Sequence, residues 1–411
     1  MKSKIIMLLV LILNQGYGQF FAPMTVPPTD FKQKPSLMWK YKTSGPIVGS
    51  PVIEDGTVYI GSLDSTLYAL DLSSGKEKWK LPTGAGIRSS VCMAGQRLFV
   101  LNCNGMLFMV EKDSGRIDGF FQAMNGYMGD RQHDFADYYT STPILIDSTI
   151  YFGSGEDIYA ISISDGFVKW VFKTNDVVHT RPAIYKNKLY AGSFDGNLYA
   201  IDINTGSLAW KFKTTGRYSF PKGEVMGNPV IAGGTVIFGA RDYNLYAVDT
   251  RGGFCSWMKQ FPYGWALPVT VNDSVVYVGT SDDRTIYAFN IQTGQEVWKA
   301  PIGFNVLGGC AVGKKVGYFC TLAGKVNGLD LATGQLLWSL ELDSYKANHL
   351  KWLKPDDSYL DNIGKLIKSP TEILSIYKDL GGIFGTPALG VDQLVVAGYD
   401  GWVYCFSDSA K

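Results

Sequence analysis

Net charge, histidine, cysteine motifs and long apolar runs are all scarce in this chain of 411 residues, and each shortage removes a class of function. A formal net charge of +1 offers no electrostatic footprint for nucleic acid. The apolar run Ile5 to Leu13 holds nine residues, well short of the roughly 20 that a helix needs to cross a bilayer. It follows Lys2 and Lys4 and precedes Gly16 and Gly18, which predicts a cleaved secretory signal over residues 1–18. No cysteine follows the run, so no lipid anchor is indicated there. Residues 19–35, with Pro23, Pro27, Pro28 and Pro35, read as an extended tether. The six cysteines form no C-x-x-C, which removes the main support for zinc and thioredoxin-like chemistry. Cys310 and Cys320 flank a predicted hairpin turn and are the best-placed pair for a bridge; most of the others read as small buried hydrophobes. Of the three histidines, only His133 has possible ligands beside it, Asp134 and Asp137. Their spacing matches no metal signature, so the group reads as a solvated loop. G-x-S-x-G, H-E-x-x-H, phosphate-binding glycine loops and EF-hand spacing are absent too.

What is present is repetition. "LYALDLSSGKEKW" at residues 67–79 returns as "LYAIDINTGSLAW" at 198–210, and variants run from Ala160 to Trp170, Ala247 to Trp257, Ala288 to Trp298 and Gly328 to Trp338. Trp39 stands 40 residues before Trp79, and Trp257, Trp298 and Trp338 follow at steps of 41 and 40. The gap from Trp79 to Trp170 holds one degraded copy, "LFMVEKDSGRIDGFF", in which Phe120 takes the tryptophan's place. Each unit also has earlier short alternating runs punctuated by Asp-Gly or Asn-Gly, a hairpin signal. Four strands per unit of about 40 residues make a propeller blade. The last unit supplies only three strands, and "SLMWKYK" at 36–42 supplies the fourth. The expected fold is therefore all-β: an eight-bladed propeller of four-stranded antiparallel blades over 36–411, closed by the N-terminal strand.

These units resemble the pyrroloquinoline-quinone (quinoprotein) repeat propellers, over nearly everything from Leu37 to Phe406. The resemblance implies that Trp39, Trp79, Trp170, Trp210, Trp257, Trp298 and Trp338 each dock one blade on the next. In the dehydrogenases of that family the channel holds the quinone with calcium, a tryptophan floor and a disulfide between adjacent cysteines. No adjacent cysteine pair and no such calcium set stand here. The non-catalytic use of the fold is of the BamB-like outer-membrane assembly type, and its single compact propeller and exported location match. The resemblance thus implies an exported scaffold binding an envelope or secreted protein, with no cofactor, nucleic acid or membrane span, as a monomer. A quinone-dependent dehydrogenase and a glycan-binding propeller are the alternatives.

Function is expected where blades differ. The connections 121–141, 213–228 and 341–385 are longer than the rest and, since strands alternate direction, all fall on one face of the disc. The last is partly helical: Ser369, Pro370, Glu372, Gly381 and Gly382 predict a helix with a capping box. "HLKWLKPDDSYLDNIGKLI" predicts another, with Trp352, Leu353, Leu360, Ile363 and Leu366 as its apolar set. These helices read either as a lid over the channel or as a cover on the closing seam. The crown aromatics include Tyr127, Phe135, Tyr138, Phe220 and Tyr263. The candidate partner-binding residues are Arg88, Tyr139, His179, Arg181, Tyr218, Lys222, Trp265 and Trp352. Asp64, Asp195, Asp242 and Asp400 recur at one turn position and read as turn formers.

Overall fold

The structure, a computed structural model, describes residues 30–123, 132–134 and 136–408. The signal over 1–18, most of the tether, Tyr127 and Phe135 lie outside the described residues. Eight four-stranded antiparallel sheets form the ring. In the first blade the strands are Val52–Glu54, Thr57–Gly61, Thr66–Asp71 and Glu77–Pro82, from the axis outwards. The eighth joins both ends of the chain. Ala388–Leu389, Gln393–Ala397 and Trp402–Ser407 come from the end, and Ser36–Lys42 pairs on the outside with Trp39 opposite Cys405.

Blade strands read as they do because both faces of each sheet pack on neighbours. Thr57–Gly61 is buried throughout, which accounts for its unbroken apolar run. On one face of the disc the turn at Asp55 (φ 44°) and Gly56 (φ 68°) is left-handed at both residues, the geometry that an Asp-Gly hairpin supplies. On the other face the recurring aspartates cap their own turns. Asp64 accepts the Thr66 N–H at 3.0 Å, and Asp195, Asp242 and Asp400 do the same for Asn197, Asn244 and Trp402 at 2.9, 3.2 and 3.1 Å.

The tryptophans mortar the seams through one shared geometry. In every blade the outer strand bulges by one residue just before the docking position, which turns that side chain toward the next blade. The Trp39 indole lies over Gly75 of the next blade, where a Cβ would stand 2.5 Å from the ring, and its Nε1–H donates to the Leu72 carbonyl at 2.8 Å. Trp79, Trp170, Trp257 and Trp298 repeat this on Gly115, Gly206, Gly294 and Gly334, donating to Lys112, Ile203, Ile291 and Leu331 at 2.8–2.9 Å. Trp210 does so on Gly253 with a longer bond, 3.3 Å, to the Thr250 carbonyl. Phe120 does not take the missing tryptophan's place. Register sets Met109 opposite Gly119, as Ala69 stands opposite Trp79, so the docking position of the second blade is Gly119; Phe120 points away and is 68% exposed.

Trp338 faces a blade whose outer strand comes from the N-terminus, so no turn is available to receive it. Its Nε1–H donates instead to the Phe31 carbonyl at 2.6 Å, while the Phe31 N–H donates to the Tyr318 hydroxyl at 2.8 Å. Asp30 accepts backbone N–H bonds from Lys314, Lys315 and Val316. The end of the expected tether is therefore a packed element, with Phe31 1% exposed.

The Cys310–Cys320 bridge does not form: all six cysteines are free. With Ala311 opposite Tyr318, Cys310 and Cys320 point to opposite faces of their blade and sit in separate core clusters. Burial pushes the Cys310 thiol well above its ordinary pKa, so both sulfurs behave as buried hydrophobes.

The insertion holds three helices: α1 (Asp343–Trp352), α2 (Ile363–Leu366) and α3 (Ile373–Leu380). The expected helix through Trp352 and Leu366 is broken at Leu353, because Pro355 disfavours helical backbone at Lys354. The expected capping box is replaced as well. Residues Pro370–Glu372 form a 3₁₀ turn, the Glu372 carboxylate takes the Lys368 N–H at 2.7 Å, and Ser369 makes no cap. Gly381, at φ 71°, ends α3 as the sequence predicts.

Candidate functional site

The long connections meet on one face, over the channel mouth, and there they build a second hydrophobic core. Val48, Val177, Phe194, Met226, Phe304, Leu307 and Leu322 rise from the ring, and Tyr345, Leu353, Ile376, Tyr377 and Leu380 descend from the insertion. Phe384 is its hub, with ring centroids 4.9 Å from Tyr138, 5.9 Å from Tyr377 and 5.0 Å from Tyr399. Both expected positions are occupied: α1 and α3 are walls of the core that fills the mouth, and α1 also reaches the closing blade, where Asp343 pairs with Lys40 at 2.7 Å and Ser344 donates to Asp400 at 2.5 Å. Burial pushes the Tyr377 hydroxyl well above its ordinary value and the Tyr359 hydroxyl to about 12.

Below this core a belt of side-chain bonds ties the innermost strands together. The Ser50 N–H donates to Ser90 Oγ at 2.9 Å, the Ser90 N–H to Thr142 Oγ1 at 3.0 Å, and the Thr386 N–H to Ser50 Oγ at 2.9 Å. Arg181 holds the equivalent place in its blade, and its N–H donates to Asn228 Oδ1 at 2.7 Å. Burial lowers the pKa of its guanidinium, which has the Cys92 thiol near it. The cavity enclosed here is about 70 Å³, lined by Arg88, Tyr139, His179 and Phe384 among others.

A charged network pins residues 132–134 and 136–140 against this core, which corrects the solvated-loop reading of His133, Asp134 and Asp137. Asp137, with no exposed side chain, accepts the His133 N–H at 2.7 Å and pairs with His179 Nδ1 at 2.9 Å. His133 stands between Asp176 and Glu224, at 3.4 and 3.8 Å. Lys222 donates to Asp176 at 2.8 Å. Arg241, wholly buried, binds both oxygens of Asp134 at 2.6 and 3.2 Å, with its guanidinium 4.8 Å from the Phe194 ring and 4.7 Å from that of Trp265. Sequence reasoning missed Arg241. Its one signal is "GARDYN", where Arg241 replaces the small or apolar residue at the same turn in "GSLDST" and "GSFDGN".

Of the other sequence candidates, Tyr139 is committed internally: its hydroxyl reaches the Leu307 and Phe384 carbonyls at 3.1 and 3.0 Å, tying two crossings together. Tyr139→Phe is expected to cost about 1–2 kcal/mol, read as a lower urea midpoint at unchanged slope. Arg88 donates to the Asp137 carbonyl, and Trp352 Nε1–H to Asp379 at 3.0 Å between α1 and α3. Only Tyr218 projects freely. Arg217 and Phe220 exchange two backbone bonds of 2.9 Å, which makes a tight hairpin with a fully exposed Tyr218 at its tip. Arg217 lies 4.3 Å over Tyr243, and Phe220 packs edge-on against Trp265 at 5.5 Å, so the hairpin base is braced. Tyr263, 67% exposed, stands in the next crossing.

Fold and repeats define an eight-bladed propeller with tryptophan-docked blades. The chain belongs to the family described as outer membrane protein assembly factor BamB, which matches residues 32–156, 140–300 and 221–352. No curated protein sequence matches the chain. Among solved structures it is similar to BamB from Moraxella catarrhalis, at 14% identity and TM-score 0.65, covering 91% of this chain and 100% of that one. It is similar to a quinohemoprotein alcohol dehydrogenase from Pseudomonas putida at 12% identity and TM-score 0.68, covering 94% and 79%. A computationally designed protein also matches, at 15% identity and TM-score 0.68, covering 91% and 100%. At such identities the likeness is one of fold, which scaffold, enzyme and design share. Among the described residues no helix is long and apolar enough to cross a membrane.

Proposed function

We propose that this chain is a non-catalytic scaffold of the cell envelope that binds another protein through its crown, at the ridge of Tyr218 and Tyr263. The observation that carries this reading is the contrast between a filled channel mouth and a free, braced Tyr218. A quinone with calcium does not fit the residues present. Small-molecule sites usually enclose about 300–1,000 Å³, whereas the belt cavity is about 70 Å³ and its mouth is packed with Phe384, Tyr138 and Tyr139. Among the described residues no group of three or more His, Cys, Asp or Glu is arranged to hold a metal ion. Membership of a family described as outer membrane protein assembly factors supports the same reading.

A rigid aromatic tip on a hairpin is a low-entropy anchor for a protein surface. Tyr218→Ala is expected to leave stability within about 0.5 kcal/mol of the parent and to remove the adducts that a photoreactive side chain at Tyr263 forms with envelope proteins. Undiminished adducts in Tyr218→Ala would remove the ridge from the interface. A melting-temperature rise on adding pyrroloquinoline quinone and calcium would restore the dehydrogenase reading.

A further inference from the structure

The seam between the second and third blades is the one at which the docking geometry is left incomplete. Gly166 (φ 74°) is the glycine that should lie beneath an indole, yet a Cβ built on it meets nothing within 4 Å. Gly166 is exposed, whereas its counterparts Gly75, Gly294 and Gly334 are buried under Trp39, Trp257 and Trp298. The carbonyl that would receive the indole N–H is that of Ile163, and it accepts no hydrogen bond from the described residues. The tyrosine that adds a second donor at other seams is missing as well. Tyr59 donates to Lys112 and Tyr190 to Thr250, both at 3.1 Å, but the second blade has Phe99 at that position. Around the slot the surface is apolar: Ile117 is 40% and Phe167 73% exposed, and Phe121 packs on the core beside it. The flexible Met109 side chain, where blades such as the first have Ala69, brings its ε-methyl to 3.0 Å from where a Cβ on Gly119 would stand, so an entering ring has to displace that methyl.

We propose that this slot receives a tryptophan side chain presented by an extended segment of another protein. The chain itself shows what the slot takes, since six seams of the same geometry hold an indole on glycine with its N–H on the matching carbonyl. The indole has to come from elsewhere. All ten tryptophans of the chain are placed: seven on seams, Trp265 on Arg241, Trp352 on Asp379 and Trp402 beneath Lys40 and Lys42. The slot is on the outer rim, away from the crown, and the inference stands without the crown reading.

The test is a methyl NMR titration of the full chain, following the Met109 ε-methyl and Ile117 δ-methyl. The probe is a pentapeptide with a central tryptophan, run against the same peptide with leucine and with N1-methyl-tryptophan. The expected result is a saturable shift of both methyls with tryptophan, affinity about five-fold weaker for the N1-methyl peptide, which loses one hydrogen bond, and no saturation with leucine. Ile117→Glu and Phe167→Ser place at the rim the residues that other blades have there, Glu77 and Ser207, so the fold tolerates them; each should weaken binding. Gly119→Trp should fill the slot from within and abolish the shift. Methyls that stay unmoved at saturating peptide, or equal binding by the tryptophan and leucine peptides, would overturn the proposal.

Discussion

Arg241→Ala is expected to lower stability by about 2–4 kcal/mol, chiefly the void left by a wholly buried side chain, since its partner Asp134 keeps 36% of its side chain exposed and can turn to water. Three losses coincide at this residue. Asp134 loses its bidentate partner, Phe194 and Trp265 lose the cation between them, and a side chain with no exposed surface leaves a void. The pairing is not complete even in the native state, because Nε has no acceptor among the described residues. Arg241→Met is therefore expected to recover part of the loss, since it fills the void without burying a charge. Urea titration of the three proteins measures this, and hydrogen exchange separates local from global effects. Faster exchange at residues 136–140 in Arg241→Ala, with blade strands still protected, shows the network pinning that segment to the crown. A loss under 1 kcal/mol would mean that the apolar core around Phe384 holds the segment unaided.

The ring was legible in the sequence because a blade is a local object. Its four strands, their turns and its tryptophan fall within about 40 consecutive residues, so spacing alone aligns Trp257, Trp298 and Trp338. Legibility failed where a single residue of register mattered. The degraded copy was aligned on its aromatic ring, which selected Phe120, while the strand pairing selects Gly119. It failed again where contacts join distant blades. Asp134 and Arg241 are 107 residues apart and Asp137 and His179 are 42 apart, so no local pattern announces the network that turns a polar loop into a buried plug. The capping of α3 shows a third kind of miss. Ser369, Pro370 and Glu372 carry a start signal, but the chain meets it with a 3₁₀ turn. Of the candidate binding residues, Arg88 and Tyr139 turned to backbone carbonyls and His179 and Trp352 to carboxylates, Lys222 stayed exposed but paired with Asp176, and Tyr218 kept its whole surface free.

Trp298→Ala is expected to cost about 3–5 kcal/mol, and Phe120→Ala, an exposed aromatic in the degraded copy, no more than about 0.5 kcal/mol. The two rings look interchangeable in the repeat, so the contrast isolates what docking contributes. Trp298 is 7% exposed, covers Gly334, and donates to the Leu331 carbonyl at 2.9 Å. Its loss opens a cavity between the sixth and seventh blades and leaves the Leu331 carbonyl only the longer bond, 3.4 Å, from the Tyr277 hydroxyl. A glycine with φ 65–75° beneath this ring and the five like it adds a second constraint, since a Cβ there would overlap the indole. Each of these six seams is thus a matched pair across two blades, and damage to either half is felt by the whole ring because closure depends on all eight junctions. Thermal unfolding of both variants, checked for one transition or two, measures the outcome. A second, earlier transition in Trp298→Ala would place the first opening at that seam, and equal melting temperatures for the two variants would show that strand pairing, not indole docking, holds the blades together.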